Sequence, residues 1–355
     1  MVNEETRYAC VEPPPVAIVV NNFNYGSFLP HCLRSLEAQT HRPLQVILVD
    51  DASTDDSAAQ MQAFASKHAT TAGFSVNVVE HPENRGQLAA CLSGLVASTA
   101  RFVIFLDADD ELMPWAVALH LATHVTRMVA LTSTAGWSID AQRHVLGPVH
   151  PPLWLRGEPS RAGEIEPFPV VGPEPVGEVK AYHLKRNGYD LRRFIWYPTS
   201  SAMLRTDALR WLELPEGLVS RWNRCADQFL FTLAHLLGGS AVVDAPAYGY
   251  RHHGKNRSAC PRLLGDTKYA STALARHHAA QRVKLRESIL AVWQHNRDRL
   301  TDAFTERVFL QLVAATLPPR WRWQQLFVGR GKASRARARA WLQRQPRQRG
   351  PEPED

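Results

Sequence analysis

The chain has 355 residues, 45% of them apolar and 21% charged, which is typical of a globular protein with one large domain and an appendage. No stretch approaches the ~20 consecutive apolar residues of a membrane span, and residues 1–15 have the composition of neither a signal nor a transit peptide. Five scattered cysteines without a Cys-x-x-Cys pair argue against a disulfide framework or a zinc site, so we expect a cytoplasmic protein.

Strand-like and helix-like segments alternate from residue 16 to about residue 125. Apolar runs predict the strands, and segments with apolar residues at helical spacing predict the helices between them. The predicted order is a strand at 16–20, a helix at 28–36, a strand at 44–49, a helix at 57–68, a strand at 76–79, a helix at 86–97 and a strand at 102–106. This alternation predicts right-handed crossovers and an α/β fold with a mainly parallel sheet.

Two of the predicted strands end in clusters of carboxylates. The run 44–49 is followed by Asp50 and Asp51, and the run 102–106 is followed by the tetrapeptide Asp107-Ala108-Asp109-Asp110. Because the carboxyl ends of parallel strands meet at one edge of a sheet, where open α/β folds bind ligands, we expect both clusters at one site. The alternative is that some of these acids only cap the helices that follow.

Carboxylates held together in a partly enclosed site repel one another, and a bound divalent cation is the natural compensation. Oxygen ligands favour Mg²⁺ or Mn²⁺, and these ions usually hold phosphates in proteins. The sequence therefore predicts a metal-dependent phosphate site at this edge of the sheet.

The composition changes between about residues 147 and 178, where eight prolines exclude a regular helix or a central strand. A segment of this length and composition predicts a long loop or an insertion, often a functional one. We place it at 146–195, as a flap that faces an acceptor substrate.

Six sequence motifs follow one another in a recognisable order. They are VDDASTDD at the end of the run 16–56, ENRG at 83–86 with the Ala-rich segment after it, LDADDELMP at 106–114, PTSSAMLR at 198–205, ADQF at 226–229 and YRHHGKNRS at 250–258. In this order the motifs resemble those of the family 2 glycosyltransferases, and the resemblance covers residues 16–258.

The resemblance implies a GT-A fold, which is a Rossmann-like mixed sheet flanked by helices, and transfer of a sugar with inversion. The donor would be a nucleotide-diphosphate sugar, the cofactor Mg²⁺ or Mn²⁺, and the acceptor a hydroxyl of a glycan, a lipid-linked sugar or a protein. It further implies a glycosyltransferase domain at 16–260, preceded by an N-terminal tail at 1–15.

The resemblance also assigns roles to the acids. Asp109 would bind the metal, which neutralises the charge that grows on the leaving nucleoside diphosphate. Asp107 would hold the ribose or support the metal indirectly, and Asp50 or Asp51 would accept a hydrogen bond from a base N–H. Asp227 would be the general base that takes the proton of the acceptor hydroxyl, and its alternative role is an N-cap or surface acid ahead of a helix.

Four further residues complete the predicted site. His253 would touch the metal or a phosphate, although lone histidines are more often structural. Arg251 would add positive charge beside the diphosphate. Asn22 would shape the first strand–helix turn next to the donor, and Arg85 would reach the nucleotide.

The C-terminal part of the chain differs from the rest in charge. Residues 1–259 contain 22 Lys and Arg against 26 Asp and Glu, whereas residues 260–355 contain 19 against 8. Residues 261–319 have a helical pattern, and residues 320–355 form a basic tail whose segment 320–349 holds 10 basic residues, no acid and several Trp side chains. This segment could contact an anionic membrane surface peripherally, or it could be a solvated cationic tail.

Two other function classes fit parts of the sequence. Nucleotidyl transfer to a sugar phosphate uses a similar fold, but it ordinarily requires a Gly-rich phosphate loop after the first strand, and VNNFN at 20–24 has none. Nucleic-acid binding is suggested only by the basic tail, and we expect no nucleic-acid partner.

Overall fold

The computed structural model describes residues 12–149, 165–184, 194–253, 272–296 and 299. Strands within these residues form one 11-stranded sheet. They are β1 (Val16–Asn22), β2 (Leu44–Asp50), β3 (Phe74–Glu80), β4 (Phe102–Asp107), β5 (Glu111–Leu112), β6 (Leu131–Asp140), β7 (Val145–Pro148), β8 (Ile165–Val171), β9 (Glu178–Leu184), β10 (Ala202–Arg205) and β11 (Ser240–His252).

Helices flank this sheet and connect its strands. Within the described residues they are α1 (Leu29–Glu37), α2 (Ser57–Lys67), α3 (Gln87–Ala97), α4 (Ala116–Thr126), α5 (Thr206–Arg210), α6 (Leu218–Arg221), α7 (Ala226–Gly238) and α8 (Thr272–His295). All seven elements that the sequence predicts between residues 16 and 106 are present, within two residues of their predicted bounds.

The strand order is β3-β2-β1-β4-β10-β6-β11-β9-β8, with β5 paired to β11 and β7 paired to β6. Strands β1 to β4 are parallel because α1, α2 and α3 return the chain to the same end of the sheet each time. Strand β10 then runs antiparallel to both of its neighbours, β4 and β6. The predicted α/β class with a mixed, mainly parallel sheet is confirmed.

The register of the three central strands determines where the acids lie. Asn22 at the end of β1 is paired with Asp50 at the end of β2, and Asn21 is paired with Asp107 at the end of β4. The strands themselves are continuous apolar runs, as expected for strands covered on both faces. Both acidic turns therefore leave the sheet at the same edge.

Residues 165–184 lie in the segment that we predicted as a long loop or an insertion. They do not form a loop, because β8 and β9 form an antiparallel hairpin at the end of the sheet, which is compatible with an insertion. Pro167 and Pro169 are tolerated because β8 is an edge strand, so a missing N–H removes no ladder bond to a second neighbour. The rest of the predicted flap, 150–164 and 185–193, lies outside the described residues.

Helix α8 lies within the predicted C-terminal helical region, 261–319. Leu285, Ile289, Val292 and Trp293 recur at helical spacing and are buried. None of the helices in the described part of the chain has the length and apolar character needed to cross a membrane. The second half of the predicted helical region and the basic segment 320–349 are not among the described residues, so the domain bounds stay a prediction.

Helix α3 packs unusually close to the sheet at Gly94. A Cβ atom on Gly94 would lie 2.2 Å from Val19 Cγ1, and Val19 is fully buried in β1. Gly94→Ala should therefore destabilise the protein by about 1–3 kcal/mol, although Ala is by itself about 1 kcal/mol better than Gly in a helix. Urea unfolding measures the difference.

Val96→Ala is the matched control on the same helix, because Val96 is exposed and should change stability by no more than about 0.5 kcal/mol. A Gly94→Ala protein that is more stable than the wild type would contradict the close packing of α3 on β1.

Candidate active site

The turn after β1 and the turn after β2 are joined by hydrogen bonds around Asp50. Asn22 Nδ2 donates to Asp50 Oδ1 at 2.9 Å, and the Ser53 N–H donates to Asp50 Oδ2 at 3.0 Å. Asn24, with a φ of 61°, accepts the Thr54 N–H on its Oδ1 at 2.7 Å. Both Asp50 oxygens are thus engaged by the turn itself. Asn22 Oδ1, in contrast, is buried without a donor among the described residues.

Asp51 holds the beginning of α3. Its Oδ1 accepts the Arg85 N–H and its Oδ2 accepts the Gly86 N–H, each at 2.8 Å, and His81 Nδ1 lies 2.7 Å from Oδ1. The Arg85 side chain itself is exposed, so this residue enters the network through its backbone. Asp51 is buried, and its described contacts give it a structural role at this helix terminus.

His81 also lies 2.9 Å from Ser93 Oγ, so Asp51, His81 and Ser93 form a chain with the distances of a hydrolase triad. Ser93 lies in the interior of α3, where backbone N–H groups are bonded within the helix and are not free to stabilise an oxyanion. We therefore interpret this series of hydrogen bonds as a structural link between the end of β2 and α3.

The second acidic turn is organised by Ser200, which lies just before β10. Ser200 Oγ donates to Asp110 Oδ2 at 2.6 Å and accepts the Asp107 N–H at 3.2 Å. Burial, followed by the charge of Asp109, raises the pKa of Asp107 to about 7. Burial and the same neighbouring charge also raise the pKa of Asp110. The site is thus short of positive charge around these carboxylates.

His253 lies directly against Asp109. Its Nε2 is 2.9 Å from Asp109 Oδ2, and its ring stacks on Phe28 at a centroid distance of 4.5 Å. Tyr25 meets the same ring edge-on at 5.6 Å. The structure therefore brings together the two residues that the sequence predicts as metal ligands.

Arg251 does not have the position that we predicted. Its guanidinium is fully buried, pairs with Glu111, and donates through Nε to the Asp109 backbone O at 2.7 Å and through Nη1 to the Asp140 backbone O at 3.2 Å. The charge that we expected beside a diphosphate is directed at Glu111, because β5 lies antiparallel to β11 and places this carboxylate next to it. Arg251 fixes the loop that carries Asp109.

These contacts also bear on the alternative that the acids cap helices. Helix α4 begins after Trp115 without a side-chain cap, while Asp110 and Glu111 are bound to Ser200 and Arg251. In the first acidic turn, Asp55 Oδ1 does accept the Ser57 N–H at the start of α2, at 3.1 Å. Capping therefore accounts for Asp55 but not for the acids after β4.

Asp227 lies in the first turn of α7, two residues after Cys225, which has a φ of 55°. Burial raises the pKa of its carboxyl group to about 6. The Asp227 charge contributes to the raised pKa of Asp107, so the two carboxylates lie close enough to interact. A raised pKa near neutrality suits a general base better than a surface acid.

Gln87 connects Asp107 to the helix of Asp227, and we did not predict it. Its Nε2 donates to Asp107 Oδ1 at 2.9 Å, and its Oε1 accepts the Ala226 N–H at 3.0 Å.

From the sequence we also did not predict His81 and Ser200 as residues of the site. The one local signal was a polar residue directly after a predicted strand end or at a predicted helix start, which by itself does not indicate a long-range partner.

Asp109 and His253 are the residues that could hold a divalent cation. No group of three His, Cys, Asp or Glu side chains in the described residues is arranged to hold a metal ion. Asp109 and His253 offer one carboxylate and one imidazole, which fits an ion that takes its other ligands from substrate phosphates and water, as Mg²⁺ commonly does. The added positive charge would also stabilise the ionised forms of Asp107 and Asp110, whose pKa values are raised.

Comparison with known proteins finds a family match for the N-terminal part of the chain. Residues 17–138 match the family model described as glycosyl transferase family 2. These residues therefore resemble a family 2 glycosyltransferase domain. It is 39% identical over 102 residues to an undecaprenyl-phosphate 4-deoxy-4-formamido-L-arabinose transferase of Pseudomonas aeruginosa, a match that covers 28% of this chain and 29% of the relative. The resemblance to this family that the motifs predicted is confirmed for residues 17–138.

A second relative is an uncharacterized glycosyltransferase of Nostoc sp., 33% identical over 99 residues, or 28% of this chain and 29% of the relative. The match therefore spans less than a third of the length of either curated relative. Among solved structures, S. aureus TarS 1–349 superposes with a TM-score of 0.52 at 15% identity, covering 92% of this chain and 83% of TarS 1–349. Its complex with UDP-GlcNAc gives a TM-score of 0.51 at 15% identity, covering 88% and 79%. These likenesses show the GT-A fold.

The buried ion pair of Arg251 yields a prediction about stability. Arg251→Met should lower the free energy of unfolding by about 3–5 kcal/mol, because it leaves the Glu111 carboxylate buried without its main partner. Arg143→Met removes the exposed partner of the same carboxylate, at 2.9 Å, and should cost less than about 1 kcal/mol. Urea denaturation followed by circular dichroism measures both. Equal losses in the two variants would contradict the assignment of Arg251 as the main partner.

Proposed function

We propose that this protein is a metal-dependent, inverting glycosyltransferase that moves a sugar from a nucleotide-diphosphate sugar to an acceptor hydroxyl. One observation carries the proposal. Gln87 binds Asp107 and the backbone of the Asp227 helix at the same time, so a carboxylate of the predicted donor site and the predicted base share one short network. The family match supports the reaction class.

The donor would lie along the edge formed by the ends of β1, β2 and β4. Asp50 and Asp51 are engaged by backbone and side-chain donors, so we assign them to the shape of the pocket and not to base recognition. The buried acceptor Asn22 Oδ1, which has no donor in the described residues, is the better candidate for a base N–H. UDP-GlcNAc is the first donor to test, because TarS, which has the same fold, forms a complex with it.

Asp109 and His253 would hold the divalent cation. When bound, Mg²⁺ or Mn²⁺ would act as a Lewis acid that neutralises charge on the leaving nucleoside diphosphate. The aromatic rings of Tyr25 and Phe28 fix the His253 imidazole, and Arg251 fixes the backbone at Asp109. These contacts would keep the two ligands in place before the donor arrives.

Asp227 would act as the base. Its carboxylate takes the proton of the acceptor hydroxyl while the acceptor oxygen forms a bond to the anomeric carbon. The bond from that carbon to the phosphate oxygen breaks, and its electron pair leaves with the nucleoside diphosphate. Attack from the face opposite the leaving group inverts the configuration. A base of this kind contributes roughly 10²- to 10⁴-fold to the rate.

The acceptor would be a glycan, a lipid-linked sugar or a protein hydroxyl. The Pseudomonas relative is named for undecaprenyl phosphate, so lipid-linked acceptors belong in the first test panel. We retain two further predictions as part of the proposal. One is a glycosyltransferase domain at 16–260 with an insertion at 146–195, and the other is a peripheral membrane contact through 320–349.

Asp109→Asn tests the metal site. The substitution keeps the shape of the side chain and removes its charge, so transfer should fall by at least about 100-fold, and Mn²⁺ binding measured by calorimetry should weaken in parallel. Asp207→Asn is the matched control, since Asp207 is exposed and pairs with Arg205. An Asp109→Asn enzyme that transfers at the wild-type rate, with the same Mn²⁺ dependence, would remove Asp109 from the site.

Asp227 gives a prediction about pH and activity. Because burial raises its pKa to about 6, kcat should rise with pH through an acid limb near pH 6, as the base loses its proton. Asp227→Asn should lose roughly 10²- to 10⁴-fold in transfer and bind the nucleoside diphosphate within about threefold of the wild type. Normal transfer by this variant would place the base elsewhere.

The same raised pKa predicts an effect on stability. The folded protein binds the Asp227 proton more tightly than the unfolded chain, so ionisation destabilises the fold progressively between about pH 4 and pH 6, and the full penalty is present above pH 6. Asp227→Asn should therefore be more stable than the wild type at pH 8, by up to about 3 kcal/mol, and nearly equal to it at pH 4. Urea unfolding at the two pH values measures the difference, and equal stabilities at pH 8 would contradict the burial of a charged Asp227.

A further inference from the structure

The segment that leads into Asp227 is docked on the first turn of α3. The Gln87 N–H donates to the Asn223 backbone O and the Leu88 N–H donates to the Trp222 backbone O, both at 3.1 Å. These are helix N-terminal donors that would otherwise lack partners inside α3. The segment 222–226 thus caps the helix that begins beside the donor site.

Gly86 makes this docking possible. It has a φ of 85°, and a Cβ atom at this position would lie 2.5 Å from the Asn223 Cα. The two backbones therefore approach as closely as a residue without a side chain allows. The position of Gly86 is in turn set by Asp51, which accepts its N–H.

The other side of the segment is held by α8. Trp222 is fully buried, donates through Nε1 to Ser288 Oγ at 2.9 Å, and carries the Lys284 ammonium 4.0 Å above its ring. Trp222 therefore contacts α3 through its backbone O and α8 through its side chain. Neither α8 nor this segment lies in the part of the chain that the family model matches.

Within this arrangement, Gln87 is the side chain that reaches both halves of the site. Its amide N–H donates to the Asp107 carboxylate, and its amide oxygen accepts the first N–H of α7. An amide is suited to this position because it offers one donor and one acceptor at its end. A carboxylate could not donate to Asp107, and an ammonium could not accept from Ala226.

We propose that Gln87 is a positioning residue that sets the separation between the donor-side acid Asp107 and the base Asp227. The inference rests on the proposed transfer function and deepens it. Gln87 acts through the two groups that it orients and has no chemical role of its own. Misplacement of a catalytic group by about 1 Å can cost roughly 100-fold in rate, so two hydrogen bonds at this junction are enough to matter.

The test uses Gln87→Met, which keeps the length and volume of the side chain and removes both hydrogen bonds, together with Gln87→Ala in case the thioether packs differently. Gln62→Ala is the matched control, because Gln62 lies on the 11-residue helix α2 and bonds only to the exposed Glu80 among its described contacts. Four quantities are measured on the 355-residue chain: kcat for transfer, the donor KM, amide hydrogen exchange of the peptide covering 222–228, and kcat of the double variant Gln87→Met/Asp227→Asn.

We expect kcat to fall about 10- to 100-fold in both Gln87 variants, with the donor KM within about threefold. Amide hydrogen exchange at 222–228 should become faster in the Gln87 variants, while exchange in the sheet stays as in the wild type. Gln62→Ala should match the wild type in all of these measurements. Because part of the effect of Gln87 acts through Asp227, the losses in the double variant should be less than additive.

An unchanged kcat, unchanged exchange at 222–228, or fully additive losses in the double variant would each overturn the proposal for Gln87. These outcomes are separable from failure of the proposed function. A wild-type protein that transfers no sugar from any donor removes the reaction and with it the role of Gln87 in that reaction. A wild-type protein that transfers normally, beside an equally active Gln87→Met, leaves the reaction standing and removes only this inference.

Discussion

The site depends on the parallel register of β1, β2 and β4. Once Asn22 lies beside Asp50 and Asn21 lies beside Asp107, carboxylates accumulate at one edge of the sheet and must be compensated there. Burying an ionised carboxylate without partners is too unfavourable to persist, so each acid needs donors, an opposite charge or a raised pKa. The structure uses all three of these solutions, and the choice for each acid indicates its role.

The acids that shape the fold are those whose oxygens are occupied by the protein. Asp50 and Asp51 bind N–H groups of the neighbouring turns, and Glu111 is paired with the buried Arg251. Asp109 lies against His253, and burial raises the pKa of Asp227 to about 6. In this protein, hydrogen bonds from neighbouring turns mark the structural carboxylates, whereas a facing imidazole or a raised pKa marks the carboxylates suited to bind a cation or take a proton.

The sequence was sufficient for the N-terminal half of the fold because its signals are local. Strand 44–50 is one apolar run with acids at its end, and α3 begins directly after a glycine, so bounds and order follow from pattern alone. The pairing of Gln87 with Ala226 joins residues 139 positions apart, and that of Arg251 with Glu111 joins residues 140 apart. Neither pairing leaves a trace in local composition. The β8–β9 hairpin was missed for a different reason, since proline excludes central strands but is compatible with an edge strand.

The two prolines of β8 have a consequence for the molecule as a whole. An outermost strand normally offers a row of amide donors to any extended chain that meets it, which is how sheets of separate molecules fuse. Pro167 and Pro169 remove two of these donors within a seven-residue strand. Among the described strands, the sheet thus ends at this margin in a strand that is a poor template for further growth.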